Sequence, residues 1–153
     1  MTATQLHPSS SHTDTRPRPS VGRALVGGVT GAAAGAVVLL GYGAAAVAIH
    51  GPMQAADHGA AQAAPITAAS FAVGVLFSGF LGTLLAAAVA RWASHPARTF
   101  LRAALALTGV SLAFPLTASH TTEATRLILA VGHLIAAAVV IPVVVRALGT
   151  PRA

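Results

Sequence analysis

The chain has 153 residues, of which 55% are hydrophobic and only 8% are charged. A soluble domain carries about 25% charged residues, so this composition excludes an ordinary water-soluble fold and makes lipid the main solvent. The formal net charge is +6 and cysteine is absent, which excludes disulfides, thiolate nucleophiles and cysteine-ligated metals.

The chain begins with a polar segment, residues 1–20, that is rich in Ser, Thr and Pro and has no apolar period. This pattern predicts a disordered tail. The first apolar run follows, with 26 uncharged residues between Arg23 and His50. A signal-peptide core is only about 7–15 residues long, so we expect a membrane-spanning helix that is kept in the protein.

Three further apolar runs follow a polar loop at residues 51–65, in which a short helical turn is expected. The second run ends at Arg91 and Trp92, an arginine beside an aromatic residue typical of the membrane interface. The third is the shortest, and Pro115 is expected to kink or end it. The predicted helices cover about residues 23–50, 66–92, 98–118 and 123–147.

The fourth run is the most clearly delimited. Arg126 and Arg146 bracket 19 residues, among which His133 is the only ionisable side chain. At 1.5 Å per residue these cover roughly 28 Å, close to the ~30 Å hydrocarbon core of a bilayer. The predicted fold is therefore all-α: a four-helix transmembrane bundle at residues 21–148, with a disordered N-terminal tail and a short tail at 149–153.

The arginines predict the orientation of the bundle. All nine basic residues are arginine, and they lie singly between apolar runs rather than clustered as in a nucleic-acid-binding face. With four spans, eight arginines fall on one side of the membrane and Arg126 alone falls on the other. The positive-inside rule then places both termini in the cytoplasm of a cell with this protein in its inner (plasma) membrane.

Small residues recur at a spacing of four in the first two spans, which lets helix backbones approach closely. We expect these stripes to pack helix one on helix two, with oligomerisation as the alternative. The predicted packing residues are Gly27, Gly31, Gly35, Gly74, Ser78 and Gly82. In the last span, Pro142 frees a backbone carbonyl and is expected to kink the helix.

A polar cluster is predicted on one face of the last span. Glu123 and Arg126 are three residues apart and can pair, and His133 lies seven residues further along the same face. His133 could be structural, through a hydrogen bond to Ser78, Thr108 or Ser111, or it could serve ligand binding, proton handling or metal coordination.

The remaining histidines do not show the spacing of known metal sites. His50, His58 and His120 gather toward the outer side, but they come from separate places and no HxxxH or HExxH spacing occurs. Neither a metal nor another cofactor is therefore predicted. Spans one to three contain no acid or base of the kind that couples transport, and no catalytic triad order or nucleotide loop is present. The sequence thus favours a protein that is not an enzyme.

Residues 122–146 follow the pattern TxATRLxLAxxHLxxAxxxIPxxxR. This stretch resembles a family of small bacterial four-helix membrane proteins whose function is unknown, in which a His shortly precedes Ile-Pro in the last span. The resemblance implies four spans and supplies no activity.

Two functional hypotheses follow. The first is a non-enzymatic accessory or assembly component of the cell envelope, surrounded by the lipid bilayer and associated with itself or another membrane protein, without nucleic acid. The second is a small-molecule binder or transporter, with a pocket at the outer ends of helices one and four lined by Glu123, Arg126 and His133. A redox or metal enzyme using the outer histidines is a third possibility.

Overall fold

The computed structural model describes residues 20–56 and 62–149. The elements within these ranges are α1 (Val21–His50), β1 (Met53–Ala55), β2 (Ala64–Ile66), α2 (Ala68–Trp92), α3 (Pro96–Ser111), α4 (Ala113–Leu116) and α5 (Glu123–Leu148). The predicted N-terminal tail lies outside the described residues apart from Ser20, and the predicted C-terminal tail apart from Gly149.

Four helical units are long and apolar enough to cross a membrane: α1, α2, the α3–α4 pair and α5. The predicted four-helix transmembrane fold is confirmed. Three of these units begin at a hydroxyl side chain that accepts a hydrogen bond from a backbone N–H in the first turn. Ser20 accepts from Arg23, Thr67 from Ser70, and Thr122 from Thr125.

Pro115 explains why the third span is divided. Its ring carries no N–H and crowds the carbonyl four residues earlier, that of Ser111, where α3 ends. The chain stays near helical geometry at Leu112, with φ −65° and ψ −20°, and then forms the single turn of α4. Proline therefore interrupts the span without ending it.

A small β-hairpin stands between α1 and α2, where the sequence suggested a short helical turn. Strands β1 and β2 pair antiparallel, with Met53 opposite Ile66 and Ala55 opposite Ala64. The next residue, Ala56, donates its N–H to the Ser119 carbonyl at 3.1 Å, which links this connection to the one before α5. Backbone pairing thus replaces helical bonding in the described part of this loop, and residues 57–61 lie outside it.

Helix α1 is the centre of the bundle. It packs most extensively on α2 and next on α5, whereas α3 packs on α5 and on the end of α2. One core cluster, at one end of the bundle, contains Ala24, Ala86, Phe100 and Val144. A second cluster, nearer the hairpin, contains Leu39, Phe71 and Ile128.

The two ends of the bundle differ in charge. We call the end formed by the start of α1, the end of α2, the start of α3 and the end of α5 the arginine end, and the opposite end the hairpin end. The arginines at the arginine end are Arg23, Arg91, Arg98, Arg102 and Arg146. Among the described residues, one arginine lies at the hairpin end: Arg126, near the start of α5.

Candidate functional site

Arg126 forms hydrogen bonds with the backbone at the hairpin end. Its half-buried guanidinium donates from Nε at 3.2 Å and from Nη2 at 2.9 Å to the carbonyl oxygen of Ala118. Ala118 lies two residues after the end of α4, so the guanidinium fixes the backbone of the turn that leads into α5. The predicted partner, Glu123, is instead exposed in the first turn of α5, where its negative charge suits the positive end of the helix.

His133 is half-buried and bonds within its own helix. Its Nδ1 lies 2.9 Å from the Leu129 carbonyl oxygen, so in this arrangement Nδ1 carries the proton and donates. The three hydroxyls predicted as partners likewise bond to carbonyls of their own helices: Ser78 to Val75, Thr108 to Ala104 and Ser111 to Thr108. In the described residues, His133 therefore does not tie α5 to another helix through a side-chain hydrogen bond.

A tyrosine makes the inter-helix hydrogen bond that sequence reasoning assigned elsewhere. The Tyr42 hydroxyl on α1 donates to the Ile128 carbonyl oxygen on α5 at 2.9 Å. Its ring meets the Phe71 ring of α2 edge to face, with centroids 5.6 Å apart and planes at 82°. This is the chain's only tyrosine, and a buried tyrosine usually finds a hydrogen-bond partner, so the signal was present in the sequence.

The glycines predicted on α1 lie at buried contacts, mainly with α5. Gly27 faces the Ala147 side chain, and a Cβ on Gly31 would lie 3.4 Å from the Val140 carbonyl oxygen. Gly35 faces both neighbours: a Cβ there would lie 2.8 Å from Val75 on α2 and 3.0 Å from Val140 on α5. These three glycines therefore allow close contact of α1 with α5 at least as much as with α2.

The residues predicted on α2 face outward in this monomer. A Cβ added at Gly74 or Gly82 would meet nothing within 4 Å, and Ser78 is exposed. The face that meets α1 is displaced by one residue and includes Phe71, Val75, Gly79 and Thr83. Close approach is concentrated there because Gly79 faces Ala32 and the Thr83 side chain lies against Gly28.

Pro142 lies inside α5 on an exposed surface, and the helix continues from it to Leu148. A proline at this position leaves the Ala138 carbonyl without its usual helical donor. The kink predicted there remains a prediction.

The histidines considered as metal ligands are dispersed. His50 ends α1 and is exposed, while His120 adopts the left-handed region with φ 49° in the turn before α5. His58 lies outside the described residues. Within residues 20–56 and 62–149, no group of three His, Asp or Glu side chains is placed to hold a metal ion.

Open concavities lie at both ends of the described part of the bundle. One, of about 340 Å³, lies at the hairpin end between the end of α1 and the hairpin, with a lining that includes Val47, Met53, Ile66 and Ala68. Glu123, Arg126 and His133 are not part of that lining. The other, of about 470 Å³, lies at the arginine end and is lined by residues of α3 and its N-cap.

The four apolar helices, packed through small residues, indicate a multi-pass membrane protein. Residues 18–150 match the model of a family of unknown function, DUF6069. The chain belongs to that family, in agreement with the resemblance carried by residues 122–146. No curated protein and no solved structure matches the chain.

Proposed function

We propose that this protein is a non-enzymatic accessory or assembly component of a bacterial inner (plasma) membrane. One observation carries the proposal: hydrogen-bonding side chains within the spans are directed at backbone carbonyls of the bundle itself. Tyr42 bonds across helices, while Thr83, Thr108 and His133 bond to carbonyls four residues back on their own helices. Polar groups that already bond to the protein's own backbone in this way do not converge on a substrate.

The exposed surface supports a location surrounded by lipid or by other membrane helices. Large apolar side chains are exposed on every span, among them Val37, Phe77, Leu107 and Leu127. An accessory role implies a membrane-protein partner or a second copy of this chain within the same bilayer. Neither a nucleic acid nor a cofactor has a place in the proposal.

Both termini are proposed to lie in the cytoplasm. The supporting observation is the placement of five arginines at the arginine end, where α1 begins and α5 ends, with Arg126 at the hairpin end. Because the chain contains no cysteine, single-cysteine variants can report this orientation without background labelling. Ser94, in the α2–α3 connection, and Gln62, before β2, are both exposed. In intact cells, Ser94→Cys should resist an impermeant maleimide and Gln62→Cys should react, and the opposite labelling pattern would contradict the proposed orientation.

Reconstitution of the purified protein into liposomes tests the proposed function. We expect no solute flux above that of empty vesicles and no catalytic turnover of added compounds. The polar side chains described above bond to the protein's own backbone and do not form a polar path across the membrane. Robust flux or turnover would overturn the accessory role. If that flux were abolished by Arg126→Ala and His133→Ala while both variants still inserted, the transporter hypothesis would replace it. Arg146→Ala, at an exposed position in the last turn of the same helix and outside the proposed pocket, gives a matched control.

A further inference from the structure

The N-cap and the first two turns of α3 carry a basic stripe, which we define as His95, Arg98, Thr99 and Arg102. These four residues, with Ala103, line the open concavity of about 470 Å³ at the arginine end. All four are exposed. Their positions recur at intervals of three and four residues, so they share one face of the helix.

This face points away from the protein core. Phe100 is 2% exposed and belongs to the core cluster of the arginine end, and Ala97 and Ala104 pack against that cluster. At 100° per residue, Arg98 and Arg102 lie nearly opposite Phe100 on the helix. The basic stripe therefore faces the surroundings of the bundle, where lipid is the neighbour of a transmembrane helix.

The positive charge of the stripe has no acidic counterpart within the described residues. The first turn of α3 contains no acidic residue, and the cap residue His95 makes no side-chain capping bond. Glu123 belongs to the hairpin end, while Asp14 and Asp57 lie outside the described residues. Two arginines four residues apart near the positive end of a helix dipole are mutually unfavourable, and an anion beside them relieves both effects.

Below the stripe, the same helix face becomes apolar. Leu105 is 55% exposed, and a Cβ added at Gly109 would meet nothing within 4 Å. These positions lie three and seven residues beyond Arg102, so they extend roughly 10 Å further along the helix axis. At the other side of the short α2–α3 connection, Trp92 is 80% exposed, as expected for an aromatic at the headgroup level. The surface therefore offers a cationic head region continuous with an apolar track.

We propose that the basic stripe of α3 binds the phosphate of an anionic phospholipid, whose acyl chain lies along Leu105 and Gly109. Arginine guanidinium groups form paired hydrogen bonds with phosphate oxygens, and basic surfaces beside transmembrane helices favour anionic lipids. A free phosphate ion would satisfy the arginines but would leave the apolar track unused. The basic stripe and the apolar track together therefore favour a ligand that has both a charged head and an apolar chain. The site is independent of whether the protein acts as an accessory component.

Quenching of the single tryptophan, Trp92, by brominated lipids tests the site in the full-length protein. The protein is reconstituted in phosphatidylcholine vesicles with a minor fraction of phosphatidylglycerol, and the bromine label is placed on one lipid or the other. We expect brominated phosphatidylglycerol to quench more strongly than its share of the lipid predicts. The preference for phosphatidylglycerol should fall by roughly fivefold for each arginine that is removed, whether by Arg98→Gln or by Arg102→Gln.

The control removes equal charge from the same end of the bundle. Arg23→Gln with Arg146→Gln alters two exposed arginines on α1 and α5 and should leave the preference intact. Helicity and elution as a single species establish that each variant is folded, and the single substitutions replace the pair if Arg98→Gln with Arg102→Gln does not fold.

Three outcomes would overturn the proposal. The preference could persist without Arg98 and Arg102, or it could fall equally in the control, which would indicate a diffuse effect of net charge. Displacement of the lipid by inorganic phosphate would indicate a site for a soluble anion.

Discussion

One added methyl group, in the variant Gly79→Ala, tests which face of α2 packs on α1. A Cβ at Gly79 would lie 2.5 Å from the Cβ and 3.2 Å from the Cα of Ala32 on α1. Ordinary contact begins near 3.4 Å, so Gly79→Ala would force the two helices about 1 Å apart. The near atoms belong to a backbone and its first side-chain carbon, so no flexible side chain can move aside.

The magnitude follows from the packing. A gap of up to about 1 Å forfeits roughly a quarter to a half of the attraction at each affected contact. Overpacked sites typically cost about 1–3 kcal/mol, and replacing a helical glycine by alanine returns roughly 0.5–1 kcal/mol. Gly79→Ala should therefore lower the free energy of unfolding by up to about 2 kcal/mol. Gly82→Ala meets no neighbour within 4 Å and should be neutral or slightly stabilising.

Unfolding by a denaturing detergent in mixed micelles, followed by far-ultraviolet circular dichroism, measures both variants under one condition. The two substitutions add the same atoms to the same helix, three residues apart, so the difference between them isolates the contact with α1. A destabilised Gly82→Ala beside an unaffected Gly79→Ala would refute the observed register. That result would restore the stripe of Gly74, Ser78 and Gly82 as the face that meets α1.

Two further substitutions test the hydrogen bonds that join elements. Tyr42→Phe removes the bond to the Ile128 carbonyl but keeps the ring, and should cost about 0.5–1.5 kcal/mol in the same unfolding assay; an unchanged midpoint would contradict that bond. Arg126→Gln removes the guanidinium from the Ala118 carbonyl and should speed amide hydrogen exchange in the turn before α5, measured by mass spectrometry. Arg146→Gln, in the last turn of the same helix, should leave that exchange unchanged, and equal effects would argue against a specific role for Arg126.

The spans were predictable because bilayer thickness acts on composition directly. The 19 residues between Arg126 and Arg146 match the hydrocarbon core, and the helix found there runs from Glu123 to Leu148. The division near Pro115 was also foreseeable from the missing N–H. The hairpin was not, because strands of three residues, one containing Pro65, are too short to show an alternating pattern.

The contact face of α2 could not be chosen from its pattern. Small residues at 70, 74, 78 and 82 and the mixed stripe at 71, 75, 79 and 83 have the same period, so periodicity favours neither. Tertiary fit decides: the Phe71 ring occupies the space left by Gly43 and Gly132 on two other helices. The partner of His133 was equally undetermined, because a side chain in a helix can reach the carbonyl one turn back as readily as a neighbouring helix.

The hydrogen bond between Ala56 and Ser119 has a consequence for how the helices can separate. It joins the connection that follows α1 to the connection that precedes α5, so separating these two loops breaks a backbone hydrogen bond. The arginine end is joined by side-chain packing and by the short α2–α3 link, and its neighbouring charges have the same sign. Spreading of the bundle would therefore begin at the arginine end, with the hairpin end acting as the hinge.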